Sequence, residues 1–175
     1  MKLKKIRIKL PWFFETELER EVSVAEDDQK IAWELYCDLI TRIGVVEFKE
    51  DEDILLYCLD SWHEFFRIAR NALKRLKTPI GSQRKIKTAK RKITESPTYL
   101  LSDIIIRLLN EELRPFLRKW HPYVRYFMKQ EADQTKFMIE EQKKMPKWAE
   151  LIEIVKDLHV KLKNTSNALY EIAVS

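Results

Sequence analysis

Two glycines, Gly44 and Gly81, are all that this 175-residue chain contains. Sandwiches and barrels turn tightly and often, so this scarcity argues against them. It also excludes a Walker-type or Rossmann phosphate loop, where several glycines let backbone amides approach phosphate. Cysteine is equally scarce. Cys37 and Cys58 lie among apolar neighbours in helical stretches. They are too few for a disulfide framework and lack the spaced histidine partners of a structural zinc site, so they read as buried free thiols. Long apolar runs are missing as well. The longest segments free of Asp, Glu, Lys and Arg are seven residues, at 96–102 and 164–170, whereas a spanning helix needs about 20 predominantly apolar residues. The basic start MKLKKIRIKL reaches Pro11 before any useful apolar stretch, so no signal peptide is expected. These absences together predict a soluble, cytoplasmic protein with no membrane partner, cofactor or metal.

What is present fits a globular chain, with 45% apolar and 35% charged residues. Residues 3–10 alternate, with Ile6, Ile8 and Leu10 at a period of two, which predicts a short extended arm within 1–14. Helical spacing follows. Ser23 and Glu26 fit a capping box for a helix over 25–43, with Ile31, Leu35 and Leu39 on its apolar face and Gly44 as C-cap. A second helix over 52–77 carries Leu55, Cys58, Leu59, Trp62, Phe65, Ala69, Leu73 and Leu76 at three- and four-residue intervals. A third starts with Ser96 as cap and Pro97 at the first position. Pro115 is expected to break or kink it, because its ring clashes with the carbonyl four residues back and supplies no amide proton. A piece with Phe116, Leu117, Trp120, Tyr123, Val124 and Phe127 follows. Residues 128–145 read as weakly anchored helix, and a last helix starts at Pro146. The predicted architecture is all-α, a single-domain bundle of five or six helices spanning 1–175, with a basic connecting loop over 78–95.

Charge is sharply segregated. From Arg67 to Lys92 there are eleven basic residues and no acidic one: Arg67, Arg70, Lys74, Arg75, Lys77, Arg84, Lys85, Lys87, Lys90, Arg91 and Lys92. The formal net charge is +5, and this one segment accounts for all of it. Such a segment draws polyanions and suits phosphate-backbone contact, which does not read sequence. An acidic protein surface is the second possible ligand, and plain solvation the third. No aromatic is interleaved there, so single-strand base stacking is not indicated.

A second feature is the stretch Arg114-Pro115-Phe116-Leu117-Arg118-Lys119-Trp120-His121-Pro122, in which six residues separate Arg114 from His121. It resembles the motif of HEPN-domain ribonucleases, where an arginine and a histidine four to six residues apart cut RNA without a metal inside a helical bundle. The resemblance implies catalytic roles for Arg114 and His121. The family usually carries a polar residue after the arginine, where this chain has Pro115. The ordinary reading of the same stretch is a kinked helix junction with Trp120 in the core. Together with Ala32-Trp33-Glu34-Leu35-Tyr36 and Leu39-Ile40-Thr41-Arg42-Ile43, it is also similar to an uncharacterised family of bacterial helical proteins. Members often neighbour defence or mobile-element genes, which implies a conflict-system role.

Other candidates fall away. Ser61 and His63 point about 200° apart on a helix and cannot form a nucleophile pair. His63-Glu64 lacks the second histidine of a zincin helix. The sequence therefore points to an accessory or adaptor subunit that acts by binding another protein and, through residues 67–92, nucleic acid. A metal-independent ribonuclease is the alternative. An adaptor should expose an apolar patch, whereas a ribonuclease should set Arg114 beside His121 in a cleft.

Overall fold

In a computed structural model, residues 3–9, 19–42, 45–76, 97–129 and 135–174 are described. Periodicity two at the N-terminus gives strand β1, Leu3–Lys9, paired antiparallel with β2, Glu19–Ala25. The register sets Arg7 opposite Glu21 and Lys9 opposite Glu19. The arm thus finds its pairing partner in the chain just before the first helix. This displaces the expected capping box, because Ser23 stands opposite Lys5 in the ladder.

The fold is otherwise helical. Helix α1, Glu26–Ile40, begins directly after β2 with Glu26, Asp27 and Asp28 in its first turn, where carboxylates face the positive end of the helix dipole. At its far end the Thr41 hydroxyl donates to the Cys37 carbonyl at 2.8 Å. The expected cap, Gly44, lies outside the described residues. Helix α2 is Leu55–Arg75, shorter at both ends than the spacing predicts.

From residue 97 to residue 129 the backbone is helical without a break. Helix α3, Pro97–Arg107, passes into a π-helical segment, Leu108–Leu113, and then into α4, Arg114–Lys129. Pro115 therefore does not break the chain as expected. The Arg114 amide donates to Leu109 O, five residues back. The widened turn moves the carbonyls that would meet the proline ring, and Pro115 then sits in the first turn of α4, where an amide proton is not required. Ser96, the expected cap of α3, lies outside the described residues.

Helix α5, Thr135–Lys143, precedes α6, Trp148–Val174. The last helix extends through the polar tail. Leu162, Ala168, Leu169 and Ile172 are buried, and the Thr165 and Ser166 hydroxyls return to the carbonyls of Lys161 and Lys163. The core is continuous, running from Leu35 and Leu39 of α1 through Trp62 and Phe65 of α2 to Leu113 and Trp120 of the long run and Val155 of α6. No helix among the described residues is long and apolar enough to cross a membrane.

Anchoring of α5 is stronger than its composition suggests. Ile54 caps α2 without a side-chain hydrogen bond. Instead the fully buried Gln142 accepts from the Leu55 amide at 2.9 Å and donates to the Asp53 carbonyl at 2.7 Å. A side chain from α5 thereby satisfies the α2 end that local sequence leaves open. The acidic run before α2 is also engaged. Glu50 pairs with Lys156, Asp51 with Lys143, and Glu52 with Lys49.

Candidate nucleic-acid interface

Helices α2 and α4 pack antiparallel. Asp60 meets His121 and Arg125, while Phe66, further along α2, meets Arg114, earlier in α4. Apolar residues hold the seam. Trp62 packs edge-on against Phe116 with ring centroids 5.4 Å apart, and Trp120 is buried against Tyr123.

The polar edge of this seam is basic. On α2, Arg67, Arg70 and Lys74 are exposed and recur at three- and four-residue spacing, so they share one side of the helix. On α4, Arg114, Arg118 and Arg125 are exposed and His121 part-buried. Their successive spacings of four, three and four place all four on one side. Glu64 neutralises part of the charge. Arg67 donates to its carboxylate, which holds that carboxyl below its ordinary range, and Arg42 and His63 act in the same direction. Asp60 takes up Arg125 at 2.9 Å. Arg114 lies over the Phe66 ring, 5.7 Å from its centroid. Among the described residues Arg70, Lys74, Arg114 and Arg118 have no carboxylate partner. From Arg114 to Arg125 the stripe runs about 17 Å at 1.5 Å per residue, the span of about five phosphates on one duplex strand.

Of the residues marked out by sequence, Arg67, Arg70 and Lys74 join this face. Arg75 turns away from it and pairs with Glu34 of α1. Lys77, Arg84, Lys85, Lys87, Lys90, Arg91 and Lys92 lie outside the described residues. Arg114 and His121 do share one side of α4, but they stand about 10 Å apart along its axis and are engaged separately. Arg114 is on Phe66, while His121 Nε2 contacts Asp60 Oδ1 at 2.7 Å. The sequence reading passed over Arg118 and Arg125, which were legible in the four-three-four spacing. His63 fell away there because Ser61 could not complete a nucleophile pair with it, and nothing in the sequence announced that α4 brings His121 to both His63 and Asp60. The His63 and His121 rings lie 5.4 Å apart, tilted by 44°.

A second surface feature is aromatic. Trp33 stacks obliquely on Tyr36 of α1 at 5.5 Å, and Tyr36 on Tyr170 of α6 at 5.1 Å. Trp33, Ile40, Tyr170 and Val174 are exposed. Beside Trp33 a groove is lined by Glu26, Gln29, Lys30, Glu34 and Ala173. Of the two thiols, Cys58 is buried, which pushes it up to about 12, whereas Cys37 is only partly covered, contrary to expectation. Among the described residues no group of three or more His, Cys, Asp or Glu is placed to hold a metal ion. No protein-family model, curated protein or solved structure matches the chain.

Proposed function

We propose that this chain acts by binding, as an accessory or adaptor subunit that grips nucleic-acid backbone with the α2/α4 face and docks a partner protein through the Trp33–Tyr36–Tyr170 row. The observation that carries this reading is the run of basic side chains along two antiparallel helices, contiguous in space but not in sequence. Arginine and lysine in such a stripe meet phosphates without reading bases. The exposed aromatic row is the apolar patch an adaptor requires.

Binding to a duplex should weaken steeply with salt, because each neutralised phosphate releases counterions. Four to six contacts predict a log–log slope of about −4 to −5. Replacing Arg70, Lys74, Arg114 and Arg118 by Ser should flatten the slope by about 3 to 4 and weaken all sequences alike. Changing Lys85, Lys87, Lys90 and Arg91 to Ser measures what the segment outside the described residues adds. Failure to bind either DNA or RNA at about 50 mM salt rejects the nucleic-acid half of the proposal. The face would then be a dock for an acidic protein.

One observation favours a second reading, a metal-independent ribonuclease. Asp60 holds His121 beside another imidazole, an arrangement that could move protons. Purified protein that cuts RNA, and stops when His121 alone becomes Ala, would establish it. Under the binding reading the same substitution leaves partner binding intact.

A further inference from the structure

The two imidazoles at the α2/α4 seam add something a stripe of arginines does not. His63 is exposed on α2 and His121 part-buried on α4, with 5.4 Å between ring centroids. Charged side chains share the helix faces that carry them. From α2 come Asp60, Glu64 and Arg67, and from α4 come Arg114, Arg118 and Arg125. The chain after α1 brings Arg42, which donates to the Ser61 carbonyl at 3.1 Å and pairs with Asp38. The carboxylates are already engaged: Asp60 by His121 and Arg125, Glu64 by Arg67, Asp38 by Arg42. Charging both rings at this separation sets like charges against each other, and the nearby arginines add to the repulsion. An anion resting against both rings removes that penalty.

Resting on the nucleic-acid reading above, we infer that His63 and His121 form a subsite for one backbone phosphodiester, filled with uptake of protons by the imidazole pair. The sign follows from linkage. If binding takes up protons, then lowering the pH strengthens binding. Histidine is the side chain whose charge ordinarily changes between pH 5 and 8, so the comparison belongs in that interval.

The chain has three histidines, which makes the test clean. Full-length protein is titrated with a fluorescein-labelled duplex DNA at several salt concentrations, at pH 5.5 and pH 8. The wild type should bind more tightly at pH 5.5, with a salt slope steeper by about 1, the increment for one further phosphate. His63→Gln should lose that extra slope while keeping its pH 8 affinity, and circular dichroism should show its helices intact. His121→Gln should do the same, and His159→Gln, on α6, should behave as wild type. A pH response that survives His63→Gln and His121→Gln, or one that disappears in His159→Gln, overturns the subsite. Binding with no histidine-dependent pH response refutes the subsite and spares the nucleic-acid reading. Absence of binding at both pH values refutes the two together.

Discussion

Trp120 shows how one side chain can be read in two ways. In sequence it stands inside the stretch that resembles a ribonuclease motif, and in the fold it is buried against Tyr123 with the Lys119 ammonium 4.2 Å from the ring centroid. Trp120→Ala should lower stability by about 3–5 kcal/mol, measured by denaturant unfolding, because it empties a large volume in the core. Its neighbour His121 sits at the surface seam, so His121→Ala should cost far less. The cysteines part in the same manner. A thiol reagent at pH 8 should modify Cys37 in the native protein. Cys58 should react only on unfolding, since burial holds its thiol up at about 12 and keeps the reactive thiolate from forming. Mass spectrometry of labelled peptides distinguishes the two. Both outcomes were half visible in the sequence. Apolar neighbours marked both cysteines as inner residues, but α1 turns Cys37 toward its edge.

At the level of elements, the apolar spacing carried most of the fold. Ile31, Leu35 and Leu39, then Leu55 to Ala72, then Leu101 to Val124 mark the three helical stretches in which those residues are buried. What spacing cannot show is a partner supplied from far away in the chain. Strand β1 was legible from alternation, yet its mate was not singled out, because Val22 and Val24 alternate over too few residues beside the acids that seemed to start a helix. The start of α2 is the clearer case. Its cap is Gln142, 87 residues away from Leu55, so nothing local announces it. Gln142→Leu should therefore destabilise the protein by about 1–3 kcal/mol, since it leaves the Leu55 amide buried without a partner. Gln142→Glu keeps an acceptor for that amide but loses the donor to the Asp53 carbonyl. It should fall between the two in thermal unfolding.

For the whole molecule, the basic face is the property that no segment owns. A sequence count finds the dense run from Arg67 to Lys92, but it cannot know that α4 lies antiparallel to α2 and adds Arg114, Arg118 and Arg125 beside the first part of that run. This is why half of the candidate face was legible and half was not. The proposed docking of a partner protein belongs to the same scale. Replacing Trp33 and Tyr170 by Ser together should abolish capture of the partner protein in a native pull-down and leave duplex binding unchanged, because the row lies on α1 and α6, away from the α2/α4 face.

The π-helical segment bears on how this face can change. Its wider turn holds one residue more than an α-helical turn would, and that residue fixes the azimuth of everything after it. Deleting the exposed Asn110 removes that residue together with the extra width and keeps the azimuth of α4, whereas closing the turn into ordinary α-helix with every residue kept would rotate α4 by about 100° relative to α3. Either the apolar side of α4 or its arginines would then face the wrong way. Most helices can swap surface residues freely and lose little. In this one, the direction of the three arginines Arg114, Arg118 and Arg125 depends on a widened turn that none of them occupies, so inserting one residue there should turn all three away together and weaken the proposed duplex binding more than any one charge substitution.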